Sequence, residues 1–253
     1  MATQLSEPQT APKTVQELVI SWEALPDDFQ LEDEPLENTG QPLLAGALRE
    51  SLEIAGFIKP EMLIVSNFGL CATVNNDIVV KAPDWLYIPN VKEVLPERRS
   101  YTAFLEGELP LIVMEFLSHN DGGEYSVKRS FPPGKWFFYE QVLQVPIYII
   151  FEPNGGLLEF YELKNDRYQL QLPDKNGRHW IENMGLFLGT WQGEKEGRNG
   201  YWLRWWDKDG NLLLWGLEQI AKEKEVAEQE RKEKERLIAY LVSQGIDPNN
   251  LPT

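Results

Sequence analysis

Apolar residues recur at helical spacing in QPLLAGALRESLEIAG, predicting an amphipathic helix over 42–55 closed by Gly56. Shorter runs follow that are rich in β-branched and aromatic residues: EMLIVSN at 61–67, GLCATV at 69–74, DIVVKAPDWLYIP at 77–89 and PLIVMEFL at 110–117. GKWFFYEQVLQ, 134–144, returns to a helix-like pattern, and PIYIIFEP, 146–153, to a buried strand. LLEFYEL and RYQLQLP predict an antiparallel addition. The order helix, strands, helix, strand indicates an α/β fold around a central mixed β-sheet flanked by helices.

One of these strands poses a question. LIVMEFLS, 111–118, has six apolar side chains in eight, yet Glu115 lies in its middle. A strand covered on both faces cannot hold an ionised carboxylate cheaply. A lysine or arginine, a bound cation or a raised pKa must compensate it.

Towards the C-terminus the pattern changes. Residues 180–215 contain six of the nine tryptophans, and WLRWWDKDGNLLLWG predicts a hairpin turning at DKDG. The tryptophans read first as core and sheet cover, with a base-stacking platform as the alternative. From 216 to 242 runs a charged helix of coiled-coil composition, without an apolar residue between Ala227 and Leu237. A solvated single helix is the simplest reading, and its apolar end, LIAYLV, is a handle for a homodimer.

Composition adds boundaries. The 253 residues, 42% hydrophobic, predict one large domain with appendages: an acidic arm over 1–40, a domain over 41–215 with a Trp-rich β extension from about 180, and a charged helix and tail over 216–253. No apolar run approaches the roughly 18 residues that span a bilayer. MATQLSEPQT lacks the pattern of a signal peptide, so the expected location is cytoplasmic.

Cys71 is the only cysteine, which excludes disulfide scaffolds and cysteine zinc sites. His119 and His179 are too far apart for a helical zinc motif, and no G-x-S-x-G, P-loop or G-x-G-x-x-G occurs. A net charge of -16 opposes a surface coated for phosphate, but residues 1–40 carry nine acids against one lysine. About half of the excess therefore lies in the arm.

A second awkward acid, Asp84, follows Pro83 in VVKAPDWLYIP. Neighbouring strands could bring Asp84 and Glu115 together, where a cation between them would relieve their repulsion. The arrangement resembles the PD-(D/E)XK nuclease superfamily, and 83–163 is most similar to the Uma-type restriction endonuclease family. The carrying residues are PD at 83–84, PLIVMEFLS at 110–118, GKWFFYEQV at 134–142, PIYIIFEP at 146–153 and the following LLEFYELKNDRYQL.

The resemblance implies a restriction-endonuclease-like core and a divalent metal, magnesium or manganese, held by Asp84, Glu115 and the backbone carbonyl of Phe116. It implies DNA as substrate, and Lys135, four residues before Tyr139, as the lysine that assists the attacking water. Lys128 is the competitor. The superfamily's usual lysine position, two after the glutamate, is Leu117. A further acid could be Glu37, Glu50 or Glu53, and Asp121 or Glu124 could stand for the aspartate found before the lysine in many members. Two functions remain open: a magnesium-dependent endonuclease, and a catalytically inactive relative that serves as a protein-interaction module.

Overall fold

Side-chain alternation in the apolar runs decides the architecture. The computed structural model describes residues 18–24, 26, 39–118 and 122–247. Most of the expected acidic arm, with Glu37, and also His119 and Asp121, lie outside the described residues.

In chain order the first strands are β1 (Ile20–Ser21), β2 (Leu63–Val65), β3 (Gly69–Val74), β4 (Asp77–Lys81), β5 (Trp85–Ile88), β6 (Ser100–Thr102) and β7 (Ile112–Phe116). They continue as β8 (Ile147–Glu152), β9 (Leu157–Lys164), β10 (Arg167–Gln171), β11 (Arg178–Ile181), β12 (Leu186–Lys195) and β13 (Arg198–Trp206). The helices are α1 (Gly40–Ile54), α2 (Lys135–Phe137) and α3 (Gly216–Ser243).

The central sheet has the order β10-β9-β8-β7-β5-β2. Its β7 and β8 run parallel and the other neighbours antiparallel, so it is the mixed sheet expected. Ile112, Met114 and Phe116 of β7 pack with Leu44, Leu48 and Leu52 of α1, whereas Val113 packs with Phe138, Tyr139 and Val142 on the other face. This period-two division lets every residue of β7 be buried.

DIVVKAPDWLYIP does not form one strand. Pro83 has no N–H for a ladder, so the run breaks into β4 and β5 and leaves Asp84 at the break. Asn67 secures that break by donating its N–H to the Pro83 carbonyl at 3.0 Å. Strand β4 joins β1, β3 and β6 in a second sheet. Ile20 and Ser21, inside the expected arm, are therefore part of the folded body.

The chain reverses at DKDG, as expected, but the arm that returns is short. β13 pairs along its length with β12 through a turn at Glu196 and Gly197, and the segment after DKDG adds the antiparallel bridge Trp206–Leu212, with the Leu213 N–H donating to the Trp205 carbonyl at 2.9 Å. Asp207 accepts the N–H groups of Asp209 and Asn211 and so shapes that turn.

Most of the tryptophans of 180–215 pack as core, whereas Trp180 is exposed. Trp202, Trp205 and Trp215 are buried, and the indoles of Trp205 and Trp215 donate to the Leu48 and Ala47 carbonyls of α1, both at 3.1 Å. None of these three can stack on a nucleobase.

Helix α3 buries no residue. Its start is tied down: Glu218 accepts the Trp215 N–H at 2.8 Å and pairs at 2.6 Å with the fully buried Arg204, while Glu50 accepts the Gly216 N–H at 2.9 Å. Beyond that anchor its 28 residues extend for about 42 Å at 1.5 Å per residue.

Candidate active site

Glu115 lies between Met114 and Phe116, so alternation turns it away from α1 and towards α2. There the Lys135 ammonium donates to its Oε2 at 3.2 Å and the Tyr139 hydroxyl donates to its Oε1 at 3.0 Å. Lys135 opens α2 and Tyr139 follows one turn later, in a π-helical segment, Phe138–Leu143, that closes at Gln144 in the left-handed region. One helix face thus supplies a cation and a neutral donor to one buried acid.

Two further carboxylates converge. Asp84, partly exposed at the β4–β5 break, accepts the backbone N–H of Phe116 on Oδ2 at 2.5 Å. Glu124 lies in a short 3₁₀ turn, Gly123–Tyr125, and its Oε1 stands 3.6 Å from the Lys135 nitrogen. Its Oε2 is buried and accepts no hydrogen bond among the described residues.

Glu115, Glu124 and Asp84 all act on the one ammonium of Lys135. Burial pushes the Glu115 carboxyl up to about 8; Lys135 pulls against that rise, while Asp84 and Glu124 add to it. Burial works to lower Lys135, but Glu115, Glu124 and Asp84 outweigh it and hold the ammonium above the usual lysine range. Burial, reinforced by Glu115, raises the Tyr139 phenol well above its ordinary value, so the hydroxyl remains a donor.

Asp84, Glu115 and Lys135 are thus brought into one neighbourhood, as is the neighbouring backbone of Phe116. The Phe116 carbonyl accepts the side-chain amide of Gln41 at 2.9 Å and retains a second lone pair. Lys128 is exposed and its carbonyl accepts the Gly134 N–H, which leaves it out of the cluster. Glu53 is exposed, and Glu50 pairs with Lys195 at 2.6 Å beside the start of α3. Both miss the site because positions 41, 44, 45, 48 and 52 form the buried face of α1.

Gln41 is the residue that sequence reasoning missed. The signal was present: it is the polar member of the apolar stripe, at the end of α1 nearest the Phe116 carbonyl. Glu124 was one of two candidates for its role, and the fold brings it to Lys135; the other, Asp121, lies outside the described residues.

The residues fit a small hard cation. The donors are carboxylate oxygens, two buried carboxylates share one ammonium, and one buried carboxylate oxygen is unsatisfied among the described residues. Among the described residues no three His, Cys, Asp or Glu side chains form a complete cage. Magnesium does not require one, because it commonly takes one or two carboxylates and keeps several waters.

No curated protein matches the chain. The Uma2 family model, whose description reads "Putative restriction endonuclease", matches residues 59–191, an interval that contains Asp84, Glu115, Glu124, Lys135 and Tyr139. Spanning more than half of a chain with a mixed α/β, restriction-endonuclease-like fold, that match shows that this protein belongs to the Uma2 family of the PD-(D/E)XK nuclease superfamily.

Proposed function

We propose that this chain is a magnesium-dependent endonuclease that hydrolyses DNA phosphodiester bonds, working in the cytoplasm. The observation that carries the reading is the Lys135 ammonium shared by Glu115 and Glu124 beside Asp84, inside a matched nuclease-family interval. Asp84 and Glu115 are the residues that would hold the metal, with the Phe116 carbonyl beside them. A bound magnesium or manganese supplies Lewis acidity and a more acidic water.

The chain's own groups have separable tasks. Lys135 stays protonated, so its contribution is a positive charge and a hydrogen bond to the attacking water or the phosphate oxygens, not proton abstraction. Tyr139 holds Glu115 in one orientation, and Gln41 together with the Asp84–Phe116 bond fixes the end of β7. Preorganisation of this kind lets a charged centre stabilise charge as it develops.

Two copies joined along α3 would place two sites in one assembly. Residues 216–230 carry five acids and two bases, and residues 231–243 carry four bases and two acids. An antiparallel pair would set each acidic half against a basic half and each apolar end, Leu237 to Val242, beside Leu217 and Ile220 of the other copy.

The inactive-relative reading has one observation in its favour: Glu115 is already satisfied by Lys135 and Tyr139. Plasmid cleavage with magnesium or manganese separates the two. Cutting that disappears in both Asp84→Asn and Lys135→Met supports the enzyme; no cutting, or equal cutting in all three proteins, favours the inactive module.

A further inference from the structure

The turn that delivers Glu124 also builds a surface with no role so far. From Gly122 to Gly134 the chain reads GGEYSVKRSFPPG. Tyr125 is 39% exposed, Val127 64% and Phe131 58%, with Lys128 and Arg129 exposed between them. In a chain of net charge -16, residues 122–135 hold three cations and one acid. That acid, Glu124, is buried, so the outward face of the segment is positive.

The loop is held in place by specific contacts. Ser126 donates its N–H to the Gly123 carbonyl at 3.0 Å, and Gly134 donates to the Lys128 carbonyl at 2.9 Å. A Cβ on Gly134 would meet the Ser126 carbonyl at 2.1 Å, so the two arms of the loop touch and residue 134 must be glycine. Tyr148 donates to the Glu124 carbonyl at 2.9 Å, and Tyr125 to Glu159 at 3.0 Å. The Tyr125 ring lies against Trp136, centroids 6.4 Å apart at 26°, and the Arg129 guanidinium stands 5.7 Å from the Phe137 ring. Trp136 and Phe137 directly follow Lys135, so the loop is anchored on the element that carries the candidate catalytic amine.

Exposed rings interleaved with exposed cations are what single-stranded nucleic acid requires: the rings take the faces of bases and the cations follow the phosphates. A paired duplex hides its base faces and offers the cations alone.

We infer that the loop 122–134 is a platform for unpaired DNA bases, on which Tyr125 and Phe131 stack bases and Lys128 and Arg129 contact the adjoining phosphates. The inference rests on the nuclease reading and sharpens it: the favoured substrate is single-stranded or locally unpaired DNA. Stacking is tolerant of base identity, so little sequence preference comes from this loop.

The test is fluorescence anisotropy with a labelled oligonucleotide and its duplex, in EDTA so that nothing is cut, using the full chain. The expected result is single-strand binding at least about tenfold tighter than duplex binding. Tyr125→Ser and Phe131→Ser are each expected to weaken single-strand binding by about fivefold or more and to leave the duplex unchanged. Lys128→Ser with Arg129→Ser weakens both and flattens the dependence on salt. Thermal unfolding of each variant confirms that it is folded.

Equal affinity for the two DNA forms, or aromatic variants that bind like the wild type, overturns the platform. Failure of the nuclease reading looks different. A chain that binds single strands through these residues but cuts nothing retains the platform and loses the chemistry at Lys135. A chain that cuts without preferring unpaired DNA loses the platform alone.

Discussion

The side-chain amide of Gln41 donates to the carbonyl oxygen of Phe116 at 2.9 Å, joining the first turn of α1 to the end of β7 across 75 residues of sequence. Phe116 also donates its own N–H to Asp84. Strand β7 is therefore fixed just past Glu115 from two directions. Gln41→Ala removes one of these restraints and leaves a buried carbonyl short of a donor, at a cost of about 1–3 kcal/mol. Urea unfolding should show that loss. If Gln41 positions the proposed site, cleavage should fall by about tenfold through kcat with KM little changed, since a small misplacement of catalytic groups is enough for that. A purely structural Gln41 would lower stability and leave kcat alone.

Lys135 is the sole cation paired with the buried acids Glu115 and Glu124 in the described contacts. Lys135→Met should destabilise the fold by about 1–3 kcal/mol, the low end being favoured because Glu115 can keep its proton. Glu115→Gln should be close to neutral alone and should recover part of the loss when added to Lys135→Met. A double-mutant cycle on urea midpoints measures the coupling. A cycle that closes with no interaction energy would show that the pair is not coupled.

The apo protein has a pH signature with a definite sign. In the fold Glu115 keeps its proton up to about 8, whereas its ordinary value is 4.5. Its contribution to stability is thus fully present below 4.5 and is lost as pH rises through about 8. His179 acts in the opposite sense: burial lowers its pKa from 6.5, so its contribution is present above 6.5 and is lost as pH falls through the depressed value. Comparing wild type with Glu115→Gln in EDTA removes the His179 effect from the difference. Between pH 5 and pH 8.5 the wild type should lose stability relative to the variant, and a difference flat in pH would refute the raised carboxyl.

Much of this chemistry could be read in the sequence, for reasons specific to each residue. Glu115 announces itself because a lone carboxylate in an apolar run violates the rule for buried strands, and Pro83 marks the break at Asp84 because it cannot join a ladder. Lys135 and Tyr139 are four apart, which a helix turns into one face. What the sequence hides is contact between elements distant along it. Nothing local says that Gln41 meets Phe116, that Glu124 turns inward to Lys135, or that Glu50 serves α3. The turn at DKDG could be read locally, whereas the long pairing of β13 with β12 could not.

Metal binding can be read without any cutting. At about 100 times its dissociation constant, a magnesium ion that binds only the folded chain adds about 2.7 kcal/mol. Wild-type protein should therefore unfold at a higher temperature in magnesium than in EDTA, and Asp84→Asn and Glu115→Gln should lose most of that gain. Identical shifts in all three proteins would place the ion elsewhere.

The last prediction concerns α3. Its apolar end is open to solvent, with Leu237, Tyr240 and Val242 each about 60% exposed, a patch that a second copy can cover. Sedimentation velocity should show a dimer at micromolar concentration, dissociating as salt screens the acidic and basic halves from each other. Ile238→Glu with Val242→Glu should give monomers without loss of the folded body, because neither residue is buried. Orientation follows from a single introduced cysteine, since the native Cys71 is buried. Ile220→Cys lies near one end of α3, so oxidation links two parallel helices but leaves antiparallel ones unlinked. A monomer at every concentration, or efficient crosslinking through position 220, would rule out the antiparallel pair.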